Sequence, residues 1–223
     1  MLKLYLVSSM KEVMNKYLND KLNLEKYQKI GIICLVIVIA GVFGWLYEYI
    51  FYFFNSGMKT FYMRGANFLP WINIYATGSL MIMFLTRKFK KKPWLVFLIA
   101  FISTGILEYF SGLGIYLLRD GMRCWDYNTE ILNFGNIHGF VCLRSVMFFG
   151  LSGLLLIYAI VPLCTYLSIK MPKKPFMIIS ITLCTIFLFD EFYNLLFARI
   201  LHTPRAIEVY KRFGIKYMNY FKN

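Results

Sequence analysis

Arg123-Cys124-Trp125-Asp126-Tyr127 sets a guanidinium, an indole, a carboxylate and a phenol side by side between two long apolar runs. Side chains of these types can pair, hold an anion, transfer a proton or seat a loop at lipid headgroups. Arg123 and Asp126 are three apart, so on a helical turn they would share one side and pair. The apolar runs carry few charges of their own: Glu48, Glu108, Arg144 and the adjacent Asp190-Glu191, with Arg64 in a connector. An ionisable group inside a bilayer is costly unless paired or hydrated, so each is a candidate for a substrate path or a polar cluster. Rise along the helices brings Glu48, Glu108, Arg144, Asp190 and Glu191 to the same end as the Arg123 loop. The functional expectation is an outward-open polar cavity with Glu108 and Arg144 as its buried pair. Arg123 or Asp126 would cap it by reaching Glu48, Glu108 or Arg144. The structural alternative is a network that fixes helix register, with Trp125 and Tyr127 as interface anchors. Asp190-Glu191 reads more simply as facing water, and Glu130 as an ordinary residue of a polar loop.

The elements that position these groups are read as membrane helices. Of 223 residues, 59% are hydrophobic and 19% aromatic, outside the usual soluble range. The expected fold is all-α, a polytopic transmembrane bundle of about five helices with flanking amphipathic helices. Apolar runs place them near 31–54, 71–86, 93–118, 137–169 and 176–201, long enough in most cases for a core of about 30 Å. Ala40, Gly44 and Glu48 share one face of the first, where small residues admit a neighbour. Gly105, Glu108 and Gly112 do the same on the third, and Pro162 should kink the fourth or end its buried part. Residues 1–29 form a leader with Met10, Val13, Met14 and Tyr17 at helical spacing. Residues 30–201 form the bundle. Residues 202–223 form a basic tail, opening on Thr203 as N-cap and Pro204, with Tyr210, Phe213 and Tyr217 against lysine and arginine.

The net charge of +14 would suggest nucleic acid in a soluble protein. Here the cations flank apolar segments, which points to anionic lipid, and no basic module is left for nucleic acid. Cys34, Cys124, Cys142, Cys164 and Cys184 lack metal or disulfide spacing, and His138 and His202 are too few for a histidine metal site. No metal, cofactor or catalytic set is expected. The leader, the 87–92 run and the 170–174 turn hold fourteen lysines and arginines, against Lys59, Arg64, Arg119 and Arg123 in the opposite connectors. The leader is therefore expected inside and the Arg123 loop outside. Five spans would put the basic tail outside, unless the last helix dips in and returns.

Several elements occur in order: Gly44-Trp45-x-Tyr47-Glu48, Arg64-Gly65, Pro70, Ile74-Tyr75-x-x-Gly78, and Glu108-Tyr109-x-Ser111-Gly112. Arg123-x-Trp125-Asp126-Tyr127, Asn136-x-x-Gly139, Cys142-Leu143 and Gly150 follow. Together, over about 41–153, the chain resembles the bacterial membrane family of putative ABC-transporter type IV permeases. It departs from that pattern at Leu69, Asn73, Ala76 and Tyr116. The resemblance implies a permease-like, multi-pass subunit of the cell membrane with its substrate open. The chain has no G-x-x-x-x-G-K-[ST] loop, so any ATP-driven step would need a separate ATPase subunit on the cytoplasmic side, at the 87–92 run. Three classes stay open: a transporter subunit, a non-catalytic membrane scaffold, or a membrane enzyme acting on a lipid-linked or envelope substrate. In the last, Asp126 or Glu108 would be acid or base and Arg123 would hold an anionic group.

Overall fold

The computed structural model describes residues 2–118 and 121–216, which leaves Arg119 and Tyr217 outside the described residues. The chain forms α1 (Leu2–Leu18), α2 (Lys26–Asn55), α3 (Asn73–Thr86), α4 (Pro93–Leu118), α5 (Leu143–Lys170), α6 (Lys173–Ile200) and α7 (Ala206–Arg212). Four of these, α2, α4, α5 and α6, are long and apolar enough to cross a membrane. The expected second span is the exception. With 14 residues, α3 rises about 21 Å, less than a hydrocarbon core.

Small residues set the packing. The Phe176 ring lies against Gly31, Trp71 and Phe187 against Gly41, and the Tyr75 ring against Gly44, so α3 and α6 close on α2. On α4, a methyl placed on Gly105 would fall 2.9 Å from Val146, and one on Gly150 of α5 2.6 Å from Phe97. Such contacts replace the missing hydrophobic drive between membrane helices with close packing. One end of the bundle is hydrocarbon, with Val36, Val96, Ala100, Ile157, Cys164 and Phe176 at its centre. The buried carboxylates, Glu108, Glu130 and Asp190, gather in the other half.

The basic segments meet at the hydrocarbon end. Val13 of α1 is buried, and Lys90 Nζ reaches the Tyr17 carbonyl at 2.9 Å and Asp20 at 2.5 Å. Gln28 of α2 donates to the Ser168 carbonyl of α5 at 2.9 Å. The tail lies at the opposite end, where Met63 N–H donates to the Lys216 carbonyl and the Tyr210 hydroxyl to the Phe68 carbonyl. The last helix therefore runs through and does not dip and return. It contains a π turn at Tyr193–Phe197, where Asn194 Nδ2 donates to the Asp190 carbonyl at 2.9 Å. The tail helix starts later than Thr203-Pro204 suggested: Arg205 is its N-cap, and Glu208 accepts the Arg205 N–H.

Two further boundaries differ from expectation. Pro162 neither ends nor exposes α5; it is fully buried just after a π turn at Leu156–Ile160, which accommodates the missing N–H. And α5 starts at Leu143, not near 137. His138 and Gly139 adopt positive φ, and Ile137 pairs with Val141, so the chain before Cys142 cannot be helical.

The connector 56–72 is the unusual element. Ile72 N–H donates to the Gly41 carbonyl at 3.1 Å, and Gly41 lies about 21 Å along α2 from its end at Asn55. Non-helical chain thus descends to half the height of the bundle before α3 begins. Such backbone survives at membrane depth only where protein or a cavity satisfies it.

Candidate functional site

The Arg123 element does not form a helical turn. Arg123 Nη1 donates to the His138 carbonyl at 2.9 Å, and its guanidinium lies over Phe140 and Tyr116. Trp125 Nε1 donates to the Phe140 carbonyl, and Tyr127 N–H to the Gly139 carbonyl. Asp126 accepts the Asn128 amide, Asn128 accepts Asn136 Nδ2, and Asn136 accepts the Gly139 N–H. The Arg-x-Trp-Asp-Tyr and Asn-x-x-Gly elements are therefore one folded unit, closed on Gly139. Arg123 and Asp126 approach at 3.6 Å, a weak pair. Neither touches Glu48, Glu108 or Arg144, because both are turned to the loop's own backbone.

The residue that follows Asp126 makes the connection to the bundle. Tyr127 is buried, not an interface anchor, and its hydroxyl donates to Glu108. Burial first, and the Glu108 carboxyl next, push the Tyr127 phenol well above its ordinary pKa, which keeps it a proton donor. Ser145 Oγ donates to the other oxygen of Glu108 at 2.7 Å. Arg144, in the first turn of α5, does not pair with Glu108. Its Nη2 lies 2.6 Å from Glu130, which also accepts the Tyr52 hydroxyl. Glu130 is thus not a solvated loop residue; it is 5% exposed. Arg64 Nε donates to Glu48 at 2.7 Å, and its guanidinium covers the Tyr52 ring at 3.9 Å. Arg144 lies likewise over Phe51 at 3.8 Å. The groups form one run: Glu48, Arg64, Tyr52, Glu130, Arg144, Tyr127, Glu108, Ser145. All but Arg64 line a void of about 30 Å³, too small for a solute.

Asp190 and Glu191 belong to a second set. Asp190 is buried and accepts the backbone N–H groups of Phe68 and Leu69, both at 2.9 Å. Glu191 accepts Asn67 Nδ2 at 2.6 Å. Their place is explained by the descending connector: they supply acceptors where water is scarce. They do not simply face water.

Between the two sets opens a cavity of about 600 Å³. Glu48, Arg64, Asn67, Arg123, Trp125 and Glu191 are among its polar walls, and α3 and α4 supply apolar ones. Glu108 and Arg144 do not reach it; they lie behind the Glu48–Arg64 pair. The expected convergence of charges on one end holds, but as two bonded clusters flanking a space. Tyr52, Glu130, Ser145 and Asn67 escaped the sequence reading. Tyr52 had a signal, four residues from Glu48 on the same helical face. Among the described residues no cluster of His, Cys, Asp and Glu could hold a metal ion.

No curated protein and no solved structure matches the chain. A family does, over residues 35–195, which takes in α2 from residue 35 on, the connector, the Arg123 loop, both carboxylate sets and the cavity wall apart from Ile207, but not α1 or α7. This multi-pass membrane protein, with its bonded loop seated on a helical bundle, belongs to the family described as Putative ABC-transporter type IV.

Proposed function

We propose that the chain is the membrane subunit of a transporter in the bacterial cell membrane, with the 600 Å³ cavity as its substrate site on the outer side. The observation that carries this reading is the cavity itself: paired charges at one end, apolar helix walls at the other, in the size range of small-molecule sites. The bonded network behind it is the frame that holds Glu48 and Arg64 in place. Orientation follows from the basic residues, since α1, 87–92 and 170–174 share the hydrocarbon end and would face the cytoplasm. That end offers the surface for a separate ATPase subunit, as the chain has no phosphate-binding loop of its own.

The test compares metabolites and lipids in cells lacking the protein, complemented by wild type or by Glu48→Gln. A compound that accumulates on one side of the membrane without the protein, and returns to normal only with wild type, is the expected result. Indistinguishable profiles under every growth condition in which the protein is made would end the transporter reading and leave the scaffold.

A further inference from the structure

The two sides of α4 differ. Toward α5 and the loop it is packed to contact: a methyl on Gly105 or Gly112 would fall 2.9 Å from Val146 or Phe140. Toward α3 it approaches Gly78 at Thr104 and Leu107 and opens beyond them. A methyl on Gly114 would meet nothing within 4 Å, and Gly114 lines the cavity. Glycine is disfavoured inside a helix, and here no neighbour requires it. What it leaves is space.

That space runs outward. Phe110 and Leu118 line the cavity and are also 63% and 86% exposed, so its wall continues onto the apolar surface that faces lipid. Across from them, Asn73 and Thr77 of α3 line the cavity and are exposed, with Thr77 Oγ1 bonded to Asn73 Oδ1 at 3.0 Å. The wall from Leu107 to Leu118 extends about 16 Å along α4. The cavity is therefore a slot, open sideways to the bilayer, with an apolar length and a polar inner end.

The polar end is balanced in charge. Glu48 is paired with Arg64 at 2.7 Å, Glu191 takes Asn67, and Arg123 stands at the rim near Asp126. With two carboxylates, Glu48 and Glu191, and two guanidiniums, Arg64 and Arg123, on its walls, a strongly anionic or cationic group entering there would meet as many like charges as opposite ones. A group with several donors and acceptors would find partners for both. We infer that the cavity binds a membrane amphiphile that enters laterally between α3 and α4, its hydrocarbon chain along Leu107–Leu118 and a hydroxyl-bearing, uncharged headgroup against Glu48, Arg64, Asn67 and Glu191. The inference rests on the reading of this cavity as the substrate site and names the class of substrate.

The probe is a monoacylglycerol with a diazirine in its acyl chain, added to vesicles holding the full-length protein and photolysed. Labelling of peptides spanning 73–77 and 107–118 that unlabelled monopalmitoylglycerol suppresses is the expected result. Gly114→Trp, which fills the slot, abolishes the suppressible labelling, whereas Gly114→Ala retains it. Thr77→Trp fills the slot from the other wall and must give the same loss should Gly114→Trp fail to fold. Labelling spread evenly over lipid-facing positions such as Leu98 and Ile102, unaffected by competitor, would overturn the site. Equal suppression by lysophosphatidylglycerol would overturn the headgroup assignment. Suppressible labelling in a protein without any transport phenotype would leave the site standing and remove the transporter reading; a transport phenotype without such labelling would do the reverse.

Discussion

Arg144 is held by Glu130, a residue of the loop, at 2.6 Å, and not by Glu108, the carboxyl in the facing helix. The pair ties the loop to the first turn of α5, and its carboxylate side chain is 1% exposed. Removing one partner of a buried pair costs about 3–5 kcal/mol because the other charge is left uncompensated. Glu130→Ala and Arg144→Ala should each lower the detergent melting temperature sharply. The double variant should be less destabilised than the two effects summed, and a melting-temperature cycle reads this directly. Additive losses would mean that the two groups are not coupled.

Tyr127→Phe deletes one hydroxyl and leaves Glu108 with Ser145 alone. Leaving a buried polar group short of a partner costs about 1–3 kcal/mol. Trp125→Phe removes a bond from a less buried donor to the Phe140 carbonyl and should cost less. Urea unfolding in detergent ranks the two, and the reverse order would show that Tyr127 does not anchor the loop.

Gly139 has φ +77, and a methyl there would fall 2.5 Å from both Arg123 Nη1 and Asp126 Oδ1. Gly57 has a similar φ, +67, with nothing within 4 Å. Gly57→Ala should lose only the backbone preference, about 1–2 kcal/mol. Gly139→Ala should lose that and the loop's closure as well. Comparable unfolding midpoints for the two would contradict the account of the loop as one unit.

Asp190→Ala withdraws the acceptor from two backbone N–H groups. Hydrogen bonds to a charged group contribute about 1.5–3 kcal/mol each. Amide exchange over 62–72 should accelerate while the 93–100 stretch of α4 stays protected. Unchanged protection of Phe68 and Leu69 would show that the connector is held by other means.

Sidedness can be checked with the native thiol. Cys124 is exposed at the loop end, and Lys91 is exposed at the basic end. A membrane-impermeant maleimide applied to intact cells should label Cys124 and spare a cysteine introduced at Lys91 in a Cys124→Ser background. Lys90 is the wrong position for this test, being buried against Tyr17 and Asp20. Labelling at position 91 with none at 124 would invert the proposed orientation.

The long helices were legible because lipid demands long apolar runs, and the ends at Asn55, Pro93 and Leu118 fell near where hydropathy suggests, whereas α2 starts at Lys26, ahead of the apolar run expected from 31. The faces were legible too: Gly44 and Glu48, or Gly105 and Gly112, declare themselves by helical spacing. The partners were not. Arg144 and Glu108 looked matched because both sit in apolar runs, whereas Glu130 sits among Asn128, Thr129 and Asn133 and carries no local sign of burial. A loop that folds back over the bundle buries its polar residues by tertiary contact, which periodicity does not record. Asp190-Glu191 was ambiguous for a similar reason, since its purpose is set by a connector more than a hundred residues earlier.

The descending connector also constrains how the protein is made. Phe68 and Leu69 find their acceptor on Asp190, 122 and 121 residues further along, and Phe68 offers its carbonyl to Tyr210, 142 residues on. At common rates of synthesis that interval lasts on the order of ten seconds. Until α6 has been synthesised, the 56–72 stretch cannot occupy its final depth without bare peptide groups in lipid. It must therefore wait in a wetter place, and the bundle can lock only when its last helix arrives. A ribosome stalled before Asp190 would hold a chain whose helices have partitioned but whose cavity does not yet exist.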